Sequence, residues 1–492
     1  MPARHVSVEG KVPGPLEAGL EDVRADLGID ESFAPEVLAA AEAAARSPKL
    51  PPTDLREIEF VAIDPPGARD IDQAMAIEPH GNGWTLWYAI ADVASFIEPG
   101  GVIDQEARRR GQTMYAPHRR YSLHPPVLSE GAASLLAGED RPAQVWRLRL
   151  DDTGQVTEET VTRAIVRNRA QLTYEEVQRD LDAGTASTTL QALRDVGRLR
   201  QEQEAIRGGV SLPLPDQEVR VTESGKWRLG FRTPLPVEGW NAQISLVTGM
   251  AAATMMLYAE VGVLRTLPPA ENADLRKLRQ TARALSIPWP AEMDYPEFVR
   301  SLDPQDPEHA AMLYACTRLF RGAGYLPFNG AIPPTENAMH SALAAPYSHV
   351  TAPLRRLVDR YAGEVCLALS ADQPVPEWVL SGLEDLPELM QESNRRANQF
   401  ERRVVNLVEA LVLSGRVGQT LEGSVVELDE ESGKATIVAR RPAVELSVRG
   451  NGMRLGSPVT VQVEQVDLKT GEVELSVVDA DGETEQGADD TE

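Results

Sequence analysis

Cysteine is almost absent from this chain: Cys316 and Cys366 are the two among 492 residues. They offer neither a disulfide framework nor the paired spacing of a zinc site, which points to a reducing compartment and a cytoplasmic protein. Positive charge is also scarce. With 49 Lys and Arg against 75 Asp and Glu, the formal net charge is −26, so contact with a polyanion has to come from local clusters of cations. Long apolar runs are missing: the longest uncharged stretch, residues 244–259, is short for a membrane span, carries Ser245 and Thr248, and reads as a buried core helix, so no membrane partner is expected. Residues 1–14 lack the apolar core of a signal peptide. Aromatics make up 5% of the chain and none follows Ser414. What remains, 42% hydrophobic and 25% charged, is the composition of a soluble globular protein, and the length predicts two to four domains.

The densest chemistry lies in residues 60–77, FVAIDPPGARDIDQAMAI, where Asp64, Asp70 and Asp72 fall at i, i+6 and i+8. An apolar run ends at Asp64, Pro65-Pro66-Gly67 forces a turn, and a second apolar run follows. If residues 70–77 are extended, the period of two puts Asp70 and Asp72 on one face and Ile71 on the other. Carboxylates so close repel, and a cation relieves that repulsion; all-oxygen ligation favours Mg²⁺ or Mn²⁺. Asp is also a common turn residue, so the spacing alone is more often that of a capped loop.

The same residues resemble the signature of the ribonuclease II and ribonuclease R (RNB) family, in which an Ile-Asp, a short loop and an Arg-Asp-x-Asp-Asp run supply four acids. Asp64, Asp70 and Asp72 match three of them, and Gln73 stands where the fourth would be, a neutral amide able to ligate through its oxygen. Further segments resemble the family in the same order. Residues 113–117, TMYAP, place Tyr115 where an aromatic stacks on RNA; residues 128–143 match a Leu-Ser … Asp-Arg stretch; Tyr174 falls at a site near the 3′ nucleotide. Leu212 stands where the family has a stacking Phe. Val247 and Thr248 replace a pair of acids, one of which contacts the terminal sugar. Residues 345–360, APYSHVTAPLRRLVDR, resemble the Tyr-x-x-Phe/Thr-Ser-Pro-Ile-Arg-Arg motif; Tyr347 is then an RNA-binding candidate, and Arg355 is the guanidinium beside the scissile phosphate, where a planar fork suits phosphoryl oxygens. Glu401 aligns with a glutamate near the 3′ terminus. Two readings stay open elsewhere. Arg108, Arg109 and Arg110, with Tyr115, His118 and Arg120, are either a backbone-tracking surface or a solvated basic face, and Asp92 is either a further acid near the metal or a cap.

The resemblance implies an α+β multidomain protein. Residues 1–52 form a small helical region, two helices with a helix-turn-helix-like reading, preceded by a loose Pro/Gly-rich start and with no room for the cold-shock barrels of relatives. Residues 53–414 form an RNB-type catalytic domain, with mixed sheet and helices around an RNA channel. Residues 415–479 form an S1-type OB barrel with turns near residues 430–433, 450–452 and 469–471, where Arg440, Arg441, Arg449 and Arg454 can hold a backbone. Residues 480–492 are an acidic disordered tail. The implied function is metal-dependent 3′→5′ hydrolysis of single-stranded RNA with a free 3′ end, including 3′ overhangs of structured RNA, by a monomer. Asp70, Asp72 and Arg355 would be catalytic. Two rivals stand beside it: a non-catalytic RNA-binding relative, and a metal phosphoesterase acting on DNA or small nucleotides.

Overall fold

The computed structural model describes residues 6–8, 14–117, 119–214, 216–221, 227–429, 432–439, 444–450, 452–454 and 456–478. Its centre is a closed five-stranded barrel, Phe60–Ile63, Gln73–His80, Gly83–Ala91, Asp140–Leu150 and Val156–Leu172. Neighbours pair antiparallel except at closure, where Phe60–Ile63 runs parallel to Val156–Leu172. Apolar side chains fill both faces of these strands. Met75, Ile77, Tyr88, Trp146 and Leu148 belong to one buried cluster; Phe60, Ala74, Ala89, Val145 and Val166 belong to another. Strands buried on both faces read as near-continuous apolar runs, and residues 84–91 do so.

Helix Pro236–Tyr258 is the predicted core helix. Its start is fixed by Pro236 and by Glu238, which accepts from the Leu235 N–H at 2.7 Å and pairs with Arg232 at 2.6 Å. Among the described residues no helix is long and apolar enough to cross a membrane. Leu357–Ser370, almost wholly buried, and the 37-residue helix Glu377–Leu413 complete the frame around the cavity.

The N-terminal helices form where expected, at Gly14–Asp26 and Pro35–Arg46, but each serves a different partner. Leu16, Leu20 and Val23 pack on Phe400, Val404 and Leu407 of the long helix, whereas Val37 and Ala41 join the barrel's second cluster. The expectation of a loose start needs correction in part. Val6–Val8 pairs in parallel with Asp216–Val221, because an extended Val-Ser-Val segment can complete the edge of that hairpin. The other residues of the expected loose start, 1–5 and 9–13, lie outside the described residues, as do His118, Arg440, Arg441 and the tail from residue 479.

The C-terminal unit is a curled OB-type sheet ordered Glu445–Arg449, Lys434–Ala439, Thr420–Asp429, Pro458–Asp467, Glu472–Val477. Register shifts at Val425/Glu427 and Val463/Gln465 supply the extra twist that curls it. It docks closely on the helix Asn272–Ala284. Gly456, at φ +77°, sits where a Cβ would lie 1.7 Å from Ala284, so both its backbone conformation and its neighbour require glycine. Arg449 and Arg454 are exposed.

Candidate active site

The acidic loop crosses from one barrel strand to the next and is pinned along its length. Asp64 N–H donates to Leu172 O at 3.0 Å, and Gln171 Nε2 donates to Ala68 O at 2.7 Å. Ser134 Oγ accepts from Ile71 N–H at 2.8 Å and donates to Arg69 O at 2.6 Å. These bonds seat Ile71 in the apolar cluster, fully buried, as the period of two requires. The strand itself begins at Gln73, not Asp70, because Asp70 to Asp72 hydrogen-bond to the 134–135 segment and to Ala91 N–H before the ladder starts.

Asp72 is buried; its Oδ1 accepts from Leu354 N–H at 2.8 Å, and its Oδ2 faces Arg355 Nε at 3.3 Å. Asp70 accepts from Arg120 Nη1 at 2.6 Å, and Arg120 also holds Glu130 at 3.0 Å. Burial pushes the Asp64 carboxyl up to about 7 and the Asp72 carboxyl up to about 8, with Arg355 opposing both. Burial also raises Asp70, against the pull of Arg120. Arg355 acts on all three acids, and Asp70 raises the other two, so they form one electrostatic unit.

They do not form a ready ligand cage. Among the described residues no group of three or more His, Cys, Asp or Glu side chains is arranged to hold a metal. Arg120 and Arg355 instead compensate Asp70 and Asp72 separately. The donor chemistry still fits a hard divalent cation: the groups are carboxylate oxygens, and burial leaves all three acids short of compensating charge. Gln73, expected as a ligand, is committed elsewhere. Its Nε2 donates to Thr351 O at 2.5 Å, and its Oε1 accepts from Tyr88 Oη at 2.7 Å and lies 3.5 Å from Ser245 Oγ. An amide used at both ends ties the barrel to the loop before Arg355, and the structure gives Gln73 that linking place.

Beside the acids opens a cavity of about 580 Å³, bordered by Tyr115, Leu212, Arg355 and Glu401 among others. Backbone bonds fix Tyr115 relative to Arg355: Thr113 N–H donates to Arg355 O at 2.9 Å, and Leu357 N–H to Gly111 O at 3.0 Å. Gly111, at φ +74°, lies where a Cβ would meet Ser393 at 2.5 Å, so glycine lets this segment turn against the long helix. Tyr115 is 40% exposed and Arg355 44%, which leaves both reachable by a ligand. Arg356 is the braced member of its pair, held to Asp359 at 2.7 and 2.8 Å.

Several candidates fall elsewhere. Tyr347 is 7% exposed, its ring packed over Gly249 and edge-on to His340 and His349, so it is a core residue and does not border the cavity. Tyr174, by contrast, opens a helix beside Asp64, within electrostatic reach of Asp64 and Arg355, with its hydroxyl accepting from Asn241 at 3.3 Å. Val247 and Thr248 face the core, and Ser245 is the residue of that helix that reaches the Gln73 network. Asp92 is buried with Ser95, Gln144, Arg163 and Glu364, away from the other acids. The basic helix is a brace. Arg108 reaches Asp385 and Tyr361, Arg109 pairs with Glu106 and Asp30, and Arg110 covers the Phe33 ring.

Sequence reasoning missed one wall, where Arg265, Tyr325, His340 and His349 border the same cavity. Two signals were present: a lone Arg within the apolar strand Val261–Thr266, and two of the chain's 7 His on either side of Tyr347.

Residues 52–366 match the RNB domain, and residues 419–478 match the RNase II-type exonuclease C-terminal S1 domain. The chain therefore belongs to the RNB family. It is 26% identical over 480 residues to Ribonuclease R of Escherichia coli, an alignment covering 87% of this chain and 57% of that protein. For Ribonuclease R of Aquifex aeolicus the identity is also 26%, over 87% of this chain and 65% of the other. This chain thus spans about three fifths of the length of these curated relatives. Among solved structures it resembles Mycoplasma genitalium RNase R in complex with ribose-methylated single-stranded RNA, with a TM-score of 0.81 at 18% identity over 94% of this chain and 78% of that one. It also resembles yeast Ssd1, described as a pseudonuclease, with a TM-score of 0.68 at 15% identity over 91% and 58%. At such identities these two likenesses establish the fold.

Proposed function

We propose that this chain is a divalent-metal-dependent 3′→5′ exoribonuclease that hydrolyses single-stranded RNA, including 3′ overhangs, to nucleoside 5′-monophosphates. The observation that carries this reading is Arg355, placed between buried Asp72 and the cavity that Tyr115 and Glu401 border. In the reaction a water oxygen bonds to phosphorus, the P–O3′ bond breaks, and the leaving 3′-oxygen takes a proton. Arg355 binds the phosphoryl oxygens as their charge grows, Tyr115 stacks on a base near the terminus, and Glu401 stands by the terminal nucleotide. Asp64, Asp70 and Asp72 would hold Mg²⁺ or Mn²⁺, which when bound supplies charge neutralisation and water activation.

Purified protein with Mg²⁺ or Mn²⁺ is expected to release 5′-mononucleotides from labelled RNA, far more slowly from DNA, and not to hydrolyse small phosphodiesters. A preference for the small substrates would make it a general phosphoesterase. A second reading, RNA binding without hydrolysis, is favoured by the committed amide of Gln73 and the arginine-compensated acids. It predicts RNA binding with no mononucleotide released.

A further inference from the structure

We propose that Arg265 and His340 form a second phosphate subsite, which takes a backbone phosphate of the bound RNA other than the one at Arg355. The inference rests on the exonuclease reading. Both side chains border the cavity that holds Tyr115 and Arg355. The strand Val261–Thr266, paired with Gly324–Asn329, sets Arg265 opposite Tyr325, and the guanidinium rests 4.6 Å above that ring. Arg265 N–H is anchored on Tyr347 O at 2.7 Å, so the stem is fixed before any ligand arrives.

The decisive feature is what these heads lack. Arg265 Nη1 and His340 Nδ1 are buried without a hydrogen-bond partner, and no carboxylate among the described residues pairs with Arg265. An unmet guanidinium donor inside a protein is costly, and it is retained where a ligand supplies the acceptor. The neighbours do not supply negative charge. His349 is already engaged, its Nδ1 lying 2.8 Å from the Tyr325 hydroxyl, and Asp359 is occupied by Arg356 and by Ala352 N–H. Burial holds His349 well below its ordinary value, and Arg356, Arg265, His340 and Arg355 push it further the same way, so its ring brings no charge to the wall. His340, lowered to about 4 by burial and then by Arg265, stays neutral at ordinary pH and can donate one ring N–H. A fork of guanidinium donors beside a neutral imidazole donor suits the two free oxygens of a phosphodiester. In a chain of net charge −26, such an uncompensated cation in a cavity is the local cluster that binding a polyanion requires.

The test measures binding without turnover. In an Asp72→Asn background, the affinity for a fluorescent single-stranded oligoribonucleotide is followed against salt, with thermal melting as the folding control. Arg265→Gln should bind about tenfold more weakly at low salt and lower the slope of log K against log salt by about 0.7, the loss of one single-strand phosphate contact. His340→Gln, which removes a neutral donor, should weaken binding severalfold at unchanged slope. Should Arg265→Gln fail to fold, His340→Gln decides. Variants that bind as the parent does, or an Arg265→Gln that loses affinity at unchanged slope, would overturn the subsite while leaving the exonuclease reading standing. A parent that binds no RNA would overturn both.

Discussion

On the acid floor beside the cavity charge is met in part within the protein: Asp72 by Leu354 N–H and Arg355, Asp70 by Arg120, and Arg356 by Asp359. On the wall Arg265 lies on a tyrosine ring and His340 stands edge-on to another, and each keeps a buried nitrogen with nothing to bond. The two regions are built from different parts of the chain, an Asp-rich loop at the barrel's end and a two-stranded ribbon with the segment before Arg355. Their contrast separates two tasks. A floor whose acids are pinned by arginines and a backbone N–H keeps its geometry before substrate arrives, which reaction at one phosphate needs. A wall with open donors gains most when a polyanion is bound.

The contrast can be broken first at Arg355. Arg355→Ala should lower kcat by about 10²- to 10³-fold with a much smaller change in RNA affinity, measured by single-turnover kinetics beside equilibrium binding. A loss confined to KM would reduce Arg355 to a second wall cation. Next comes Tyr115→Ala, which should raise KM by about ten- to a hundredfold at nearly constant kcat, since a stacked base contributes about 1–3 kcal/mol.

Metal and pH sharpen the floor alone. The Asp64 and Asp72 carboxyls, at about 7 and about 8, keep protons in the folded state that the unfolded chain has released. Because the folded state then binds more protons, the stability of the metal-free protein should fall as pH rises from about 7 to 8. His124, His340 and His349, lowered by burial, oppose this slope near pH 6.5, where the unfolded chain still holds part of their protons, and cease to do so as pH approaches 8. Mg²⁺ should therefore raise Tm by more at pH 8 than at pH 6; equal shifts would show that the cation binds elsewhere. The smallest effect is expected from Leu212→Phe, a gain of a few-fold in RNA affinity from added aromatic surface at a position already bordering the cavity.

How far the sequence disclosed all this depended on how local each feature was. The acid loop, its Pro-Pro-Gly turn, the core helix and the C-terminal strands were legible because each is written within a dozen or so neighbouring residues. The fate of Gln73 was not: its partners Tyr88, Ser245 and Thr351 come from three separate segments. Tyr347 looked like an RNA contact because the motif around it is specific, yet the space over Gly249 takes its ring into the core. Arg108 to Arg110 left a binding surface and a solvated face both open because composition cannot reveal that Glu106, Asp30 and Asp385 already occupy them. The wall escaped for the same reason, since Arg265, Tyr325 and His340 meet only after the chain folds.

The measurement that bears most directly on the central claim is the fate of 3′-labelled single-stranded RNA with Asp72→Asn beside the parent, in Mg²⁺ or Mn²⁺. The Asn side chain keeps an oxygen for Leu354 N–H while losing the charge that faces Arg355. The account predicts 5′-mononucleotides from the parent, a loss of at least about a thousandfold in the variant, and unchanged RNA binding. Release of mononucleotides at equal rates by the two proteins, or by neither, would contradict it.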